Sequence, residues 1–156
     1  MAKEEKCNRT RIISAIEEGT VIDHIPSRVT FKIMKLLDPQ EYEHTITIGL
    51  NLESKKLGKK GVIKISNRFL TEEEFDKVAI LAPEATVNII KDYKVKEKIK
   101  VRLPKKIEKI MKCTNPNCIT NNEEVKTKFV VVSESPLKIM CVYCERIIGR
   151  EDIILN

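Results

Sequence analysis

The chain has 156 residues, enough for one domain or two small ones, and carries 29 basic against 23 acidic side chains, a formal charge of +6. That surplus points to anionic partners such as nucleotides, acidic protein surfaces or nucleic acid. Aromatic residues make up 4% with no tryptophan, which weighs against a stacking platform for single-stranded nucleic acid, and no stretch approaches the roughly 18 apolar residues of a membrane span, so no membrane partner is expected.

The opening Met1-Ala2-Lys3-Glu4-Glu5-Lys6 is charged and lacks an apolar signal core, so a cytoplasmic location is expected. Cys7 stands alone and reads as an incidental free thiol. Thr10–Ile16 and Thr20–Asp23 are strand candidates. A helix starts after Pro26-Ser27, where Ser27 can cap the free amides, and stops near Asp38-Pro39. Phe31, Ile33, Met34 and Leu37 form its apolar stripe and are expected in the core. In His44–Leu52 the even positions from Ile46 to Leu52 are apolar, which predicts a strand with one buried face. Val62–Ser66 is a further strand.

A second helix opens on Thr71-Glu72-Glu73-Glu74, a capping box, turns Phe75, Val78, Ala79 and Ala82 inward, and ends at Pro83. Ala85–Ile90 and Tyr93–Leu103 follow as strands; in the latter every even position from Lys94 to Arg102 is basic. Strand, helix, strand, strand, helix, strand and an extra strand make an α+β domain of ferredoxin-like, split βαβ type. Two helices cover one face of an antiparallel sheet, and the other face is left for a ligand or partner. The proline and basic run at Pro104-Lys105-Lys106 divide the chain into residues 1–103 and 104–156.

Lys60 and Lys64 are four apart and can share a strand face, and Lys98 lies on the basic face of the last long strand. Three converging ammonium groups suit a triphosphate, but charge alone favours a solvated, edge-protecting surface. There is no P-loop and no G-x-G-x-x-G.

Beyond residue 103 about 50 residues remain, too few to offset their conformational entropy unaided. They read as a small all-β module with short strands at Lys126–Val132, Leu137–Met140 and Ile153–Leu155. Within it Cys113 and Cys118 form C-x4-C, and after 22 residues Cys141 and Cys144 form C-x2-C. Four soft thiolates in two tight pairs suit one closed tetrahedral Zn2+ site, which holds a fold together and leaves no position for substrate. An iron–sulfur cluster, a redox pair or disulfides are the lesser readings. Asn115-Pro116 folds the first pair into a turn, with Asn117, Asn121 and Asn122 beside it for turn chemistry or contact with another chain. Catalytic groups are sparse: the chain has two histidines, His24 and His44, and no Ser/His/Asp or paired-carboxylate grouping, so an enzyme is not expected. A zinc-ribbon nucleic-acid-binding protein is the alternative that the basic charge permits, although neither a recognition helix nor stacking aromatics support it.

The segments Val21-Ile22-Asp23-His24-Ile25-Pro26, Ile46-Thr47-Ile48-Gly49-Leu50-Asn51-Leu52 and Ala82-Pro83-Glu84-Ala85-Thr86-Val87-Asn88, with the C-x4-C…C-x2-C module, stand in one order. Together they resemble the regulatory chain of aspartate carbamoyltransferase over essentially the whole length. The resemblance implies a non-catalytic allosteric subunit in pyrimidine biosynthesis. It further implies a regulatory-chain homodimer that bridges catalytic trimers, with the zinc domain docked on the catalytic chain and no nucleic acid as partner. Effector nucleotides, CTP and ATP with UTP as a further candidate, would bind the first domain. Carried over by position, their contacts would be Ala15, Ile16, Val21, Asp23, His24, Lys60, Lys64, Asn88, Ile90, Tyr93, Val95 and Lys98. The lysines would meet phosphates, Asp23 the ribose, and the Ala15–Ile16 and Ile90–Tyr93 segments the base. Ser14 stands where the best-known relatives carry an acidic residue, and Lys94-Val95-Lys96-Glu97 is richer in charge than the usual stretch.

Overall fold

A computed structural model describes residues 15–37 and 43–156. Cys7, Ser14 and most of the Thr10–Ile16 strand candidate lie outside the described residues, while Ala15 and Ile16 carry no regular structure.

The first domain runs β1 (Gly19–Pro26), a 3-10 turn (Ser27–Val29), α1 (Thr30–Leu36), β2 (Ile46–Ser54), β3 (Gly58–Ser66), α2 (Glu72–Leu81), β4 (Thr86–Lys91) and β5 (Lys94–Lys100). The sheet order is β2-β3-β1-β4-β5 with antiparallel neighbours throughout. Each helix connection therefore skips one strand, β3 lying between β1 and β2 and β1 between β3 and β4. This is the split βαβ arrangement expected from the element order.

Ile22, Ile25, Ile63, Ile65 and Val87 of the sheet meet Ile33 and Leu37 around α1 and Val78 and Leu81 of α2, all fully or almost fully buried. Gly61 lets α1 approach closely, because a Cβ there would stand 2.1 Å from Thr30 Oγ1. Arg68 ties the layer together. Its Nη1 donates to Leu37 O at 2.8 Å, beyond the end of α1, and its Nη2 pairs with Glu74 Oε2 at 2.8 Å in the first turn of α2.

Several local expectations change. Ser27 does not cap α1; its Oγ accepts from the Asn51 amide at 3.2 Å, because a 3-10 turn already occupies the helix start. Phe31 is 58% exposed, and buried Thr30 takes its place against the sheet. Thr71 does cap α2, accepting from the Glu74 amide at 3.3 Å, but the Glu74 carboxylate turns to Arg68 and to the Thr71 hydroxyl.

The even positions of β2 are not fully buried: Ile48 is exposed and Ile46, Leu50 and Leu52 are half-buried, since β2 is an edge strand and a register shift between Gly49 and Leu52 breaks its alternation. The stretch from Tyr93 is not one alternating strand either. Asp92 and Tyr93, at φ 51° and 62°, form a two-residue turn of primed type between β4 and β5. Ile90 pairs with Val95 and Ile89 with Glu97, so Lys96 is an inserted residue and strict alternation fails there.

The second domain is built from β6 (Lys106–Glu108), β7 (Met111–Lys112), α3 (Ile119–Asn122), β8 (Lys128–Glu134), β9 (Leu137–Cys141), β10 (Ile147–Gly149) and β11 (Ile154–Leu155). Four strands form an antiparallel sheet in the order β10-β9-β8-β6, and β11 pairs with β7. The expected short strands are present within two residues of their predicted starts. The strands β6, β7 and β10 and the single turn of α3 were not anticipated, since three-residue elements carry no readable period. Phe129, Ile107, Met111 and Ile139 fill its core.

Candidate functional sites

The four cysteines come from separate elements: Cys113 follows β7, Cys118 precedes α3, Cys141 closes β9 and Cys144 sits in the turn leading to β10. Their sulfurs all lie within 4.8 Å of one another. Sγ of Cys113 and Cys144 are 3.5 Å apart, and those of Cys118 and Cys141 are 3.8 Å apart. Disulfide sulfurs sit at about 2.0 Å, so neither pair is bonded. Four thiolates at about 2.3 Å from one ion would be about 3.8 Å apart along a tetrahedral edge, which these separations match.

The surroundings are built to hold anionic sulfur. Backbone amides of Asn115, of Tyr143 and Cys144, and of Arg146 donate to Cys113, Cys141 and Cys144 respectively. Thr120 Oγ1 lies 3.2 Å from Cys118 Sγ. Burial pushes the Cys113 thiol up to about 12, with Cys144 and Cys141 adding to the rise. Burial also resists ionisation of Cys144, yet the Arg146 amide, Asn115 and the neighbouring thiols draw it down to about 6. A full set of four thiolates in this space therefore requires a cation, and the donor set fits one Zn2+ with no coordination position left over.

Asn121 Nδ2 donates to the carbonyls of Cys113 at 2.9 Å and Asn115 at 2.7 Å. Asn122 Nδ2 does the same for Pro116 and Cys118, at 2.9 and 2.8 Å, and Asn117 N closes on Asn115 Oδ1 at 3.0 Å. All three asparagines thus take part in turn chemistry.

The second site lies on the sheet face away from the helices. One cross-strand row runs Lys64 (β3), Val21 (β1), Asn88 (β4), Lys98 (β5) by direct register. Three strand spacings place the two lysine backbones about 14 Å apart, within reach of one extended anion. Next to this row, register shifts insert a residue at Asp23–His24 of β1, at Leu50–Asn51 of β2 and at Lys96 of β5. His24 and Asn51 take left-handed backbones, φ 57° and 56°. Such bulges re-aim side chains next to sites. The one in β5 puts Val95 and Lys98 on the same face, which an even/odd reading separates.

A cavity of about 870 Å³ lies over this face, within the range of small-molecule sites. Ten of the twelve residues expected at a nucleotide site line it: Ala15, Ile16, Val21, Asp23, Lys60, Lys64, Asn88, Ile90, Tyr93 and Val95. His24 and Lys98 are not in its lining; His24 adjoins Asp23, and Lys98 is the register partner of Asn88. Asn51, Leu52, Glu53, Lys59 and Val62 also line it and were not singled out in the sequence. Val62, midway between Lys60 and Lys64 on β3, was readable from alternation, while Asn51, a poor strand former between two leucines, marks the bulge in β2.

Lys60 Nζ lies 2.9 Å from Asp23 Oδ1, and the same oxygen accepts from the His24 amide at 2.6 Å. Partial burial works to raise the Asp23 pKa, but the Lys60 and His24 hydrogen bonds and charges hold it below its ordinary value. Burial lowers that of His24, and the charges of Lys60, Lys56 and Lys98 add to this against the pull of Asp23. His24 Nδ1 and Asn88 Oδ1 are buried without a hydrogen-bond partner. Buried polar atoms are rarely left so, and both belong to the expected contact set.

Comparison with known proteins assigns both domains to one family. Residues 11–102 match the family profile described as aspartate carbamoyltransferase regulatory chain, allosteric domain, and residues 105–154 match that of the metal binding domain of the same chain. The chain is 52% identical over 146 residues to the aspartate carbamoyltransferase regulatory chain of Pyrococcus abyssi, covering 92% of this chain and 96% of that protein. It is 49% identical to that of Thermococcus sibiricus over 144 residues, 92% and 95% of the two chains, and 48% identical to that of Bacteroides fragilis over 143 residues, 92% and 94%.

Proposed function

Because this chain belongs to the family of aspartate carbamoyltransferase regulatory chains, with an allosteric and a metal-binding domain, we propose that its effector is a nucleoside triphosphate held in the sheet cavity. The chain is a non-catalytic regulatory subunit of that transferase, and catalytic chains are its partners. CTP, ATP and UTP are the candidate effectors. Lys60, Lys64 and Lys98 would face the phosphates, Asp23 the ribose, and Ala15–Ile16 with Ile90–Tyr93 the base. His24, Asn88, Val21 and Val95 would complete the contacts.

One observation supports this reading above the others. Ten residues expected at the site from four separate stretches of sequence, 15–16, 21–23, 60–64 and 88–95, meet around a single cavity, with buried, partnerless Asn88 Oδ1 in one of them.

Residues 1–103 would form the effector domain and 104–156 the module that docks on catalytic trimers. The module's single Zn2+ would be held by Cys113, Cys118, Cys141 and Cys144. Two regulatory chains would pair to bridge trimers in the cytoplasm. For that pairing, edge strand β2, with Ile48 exposed on it, offers a backbone edge that is unpaired among the described residues. A nucleic-acid-binding role is not favoured, because both domains match those of a regulatory chain. Among the described residues no helix is long and apolar enough to cross a membrane.

Calorimetry of the zinc-loaded chain with CTP, ATP and UTP, alone and mixed with catalytic trimers, tests the proposal. Saturable binding that weakens in Lys64→Ala is expected. Absence of binding by all three, or indifference to that substitution, removes the nucleotide site.

A further inference from the structure

The 3-10 turn Arg150–Asp152 touches the first domain at two places. Arg150 Nη2 lies 2.7 Å from Oε1 of Glu84, in the loop between α2 and β4. The neighbouring Glu151 pairs with Arg28, and its carbonyl lies 3.4 Å from Lys32 Nζ. The two ion pairs differ in shelter. The side chains of Arg150 and Glu84 are 15% and 30% exposed, those of Arg28 and Glu151 65% and 66%. Water and salt weaken the second far more, so the first is the specific joint.

Glu84 stands close to the cavity along the chain. Thr86, two residues on, is the register partner of Asp23, which lines the cavity and holds Lys60. Lys56, whose charge reaches His24, places Nζ 3.5 Å from the Glu84 carbonyl. On the far side, Arg150 directly follows β10, and Ile147 of β10 pairs with Met140, the neighbour of Cys141. The metal cluster and the cavity are thus each one short segment away from this pair.

We propose that the Glu84–Arg150 pair is the joint through which occupancy of the cavity sets how the metal-binding domain is seated. The inference rests on the effector reading above. A polyanion near Lys60 and His24 draws Lys56 toward itself and away from the Glu84 peptide, so the loop carrying Glu84 takes a new position. The pair has a second arrangement available. Arg150 engages Oε1, while Oε2 is buried without a hydrogen-bond partner and can accept in a bidentate contact. Such a contact between two rigid layers, with two discrete geometries, can carry a coupling free energy from one site to another.

The test uses the enzyme assembled from this chain and its catalytic trimers. Nucleotide affinity and the nucleotide-induced change in aspartate half-saturation are measured for wild type, Glu84→Gln, Arg150→Met and the double variant. Nucleotide affinity within about twofold of wild type and unchanged zinc content are expected throughout. Each single variant should lose at least threefold of the nucleotide-induced change, and the double variant should lose no more than either, since the two residues act as one unit. A wild-type response in both single variants overturns the joint, as do losses that multiply in the double variant. A wild-type assembly that binds nucleotide without any change in aspartate saturation overturns it as well. A wild-type chain that binds no nucleotide overturns the cavity reading and the joint with it, so the two failures are distinguishable.

Discussion

Lys60 Nζ and Asp23 Oδ1 lie 2.9 Å apart on adjacent strands, so two of the charges lining the cavity neutralise each other. The lining also carries Glu53, Lys59 and Lys64, so three lysines face two carboxylates and one positive charge is in surplus, with Lys98 at the far end of the row. Lys60 becomes a shared group, which an incoming polyphosphate must take from Asp23 or hold jointly with it.

This arrangement ranks two substitutions. Lys64→Ala removes one cation and should weaken triphosphate binding about 10- to 100-fold, the range of one charge-assisted contact. Lys60→Ala removes a cation and also leaves the Asp23 carboxylate without its counter-charge next to a polyanion, so it should cost more than Lys64→Ala. Calorimetric titration of both variants decides this, and equal losses would mean that the Asp23 charge is not felt by the bound polyphosphate. Assembly with catalytic trimers should be unaffected in either case.

His24 and Asp23 set two separate pH windows. The folded pKa of His24 lies below its ordinary 6.5, so near that pH the unfolded chain takes up a proton that the folded chain refuses. Stability should therefore fall as pH drops through about 6.5 and level off below the folded value. Asp23 is held below its ordinary 3.8, so its contribution is complete above that pH and is lost as pH falls through the folded value. The denaturant midpoint of wild type should fall relative to that of His24→Gln as pH drops through the upper window, because the neutral variant has no proton to refuse, and the offset between the two should be constant above it. A bound polyphosphate reverses the sign at His24, since it favours the imidazolium. Nucleotide binding should then take up a proton near pH 6, visible as buffer-dependent calorimetric heat that disappears in His24→Gln.

The cysteine cluster and the order of helices and strands were legible because each depends on local rules: cysteine spacing, the Thr71 cap, and alternation in the β-branched runs. The cavity was legible mainly through resemblance. Periodicity assigned Val95 and Lys98 to opposite faces, and only the inserted Lys96, set by pairing with β4, brings them together. Ile48 and Phe31 follow the same lesson. Their spacing was right for a core, but the edge position of β2 and the outward side of α1 leave them exposed, and spacing carries no information on what lies opposite. Glu84 and Arg150 meet across 66 residues, a separation that no local pattern reports.

Arg68 offers a stability test independent of any ligand. Its buried guanidinium satisfies Leu37 O and the Glu74 carboxylate, while its own carbonyl accepts from Thr20 Oγ1 at 2.6 Å. Arg68→Ala leaves a sheltered carboxylate and a helix-end carbonyl unpaired, at about 3 kcal/mol. Thermal or urea unfolding of the zinc-loaded chain measures this. Arg68→Met, which keeps the packing of the stem, should lose nearly as much if the charge and hydrogen bonds are what matter.

Metal removal should separate the two domains in their response. The second domain has a small core, and four sulfurs within 4.8 Å of one another repel as thiolates when no cation is present. A structural zinc supplies on the order of 10–16 kcal/mol to such modules, more than the rest of the module can provide. Chelation, or Cys113→Ala, should therefore unfold residues beyond 103 and release active catalytic trimers, while the five-stranded sheet keeps its amide protection. Asn121→Ala is the milder probe. It leaves all four ligands in place but removes the brace on the Cys113 and Asn115 carbonyls, and should lower zinc affinity about 10- to 100-fold. Hydrogen exchange with a metal-competition titration reads both effects. A second domain that stays protected and bound to trimers without metal would show that its apolar core suffices and that the cysteine cluster serves another end.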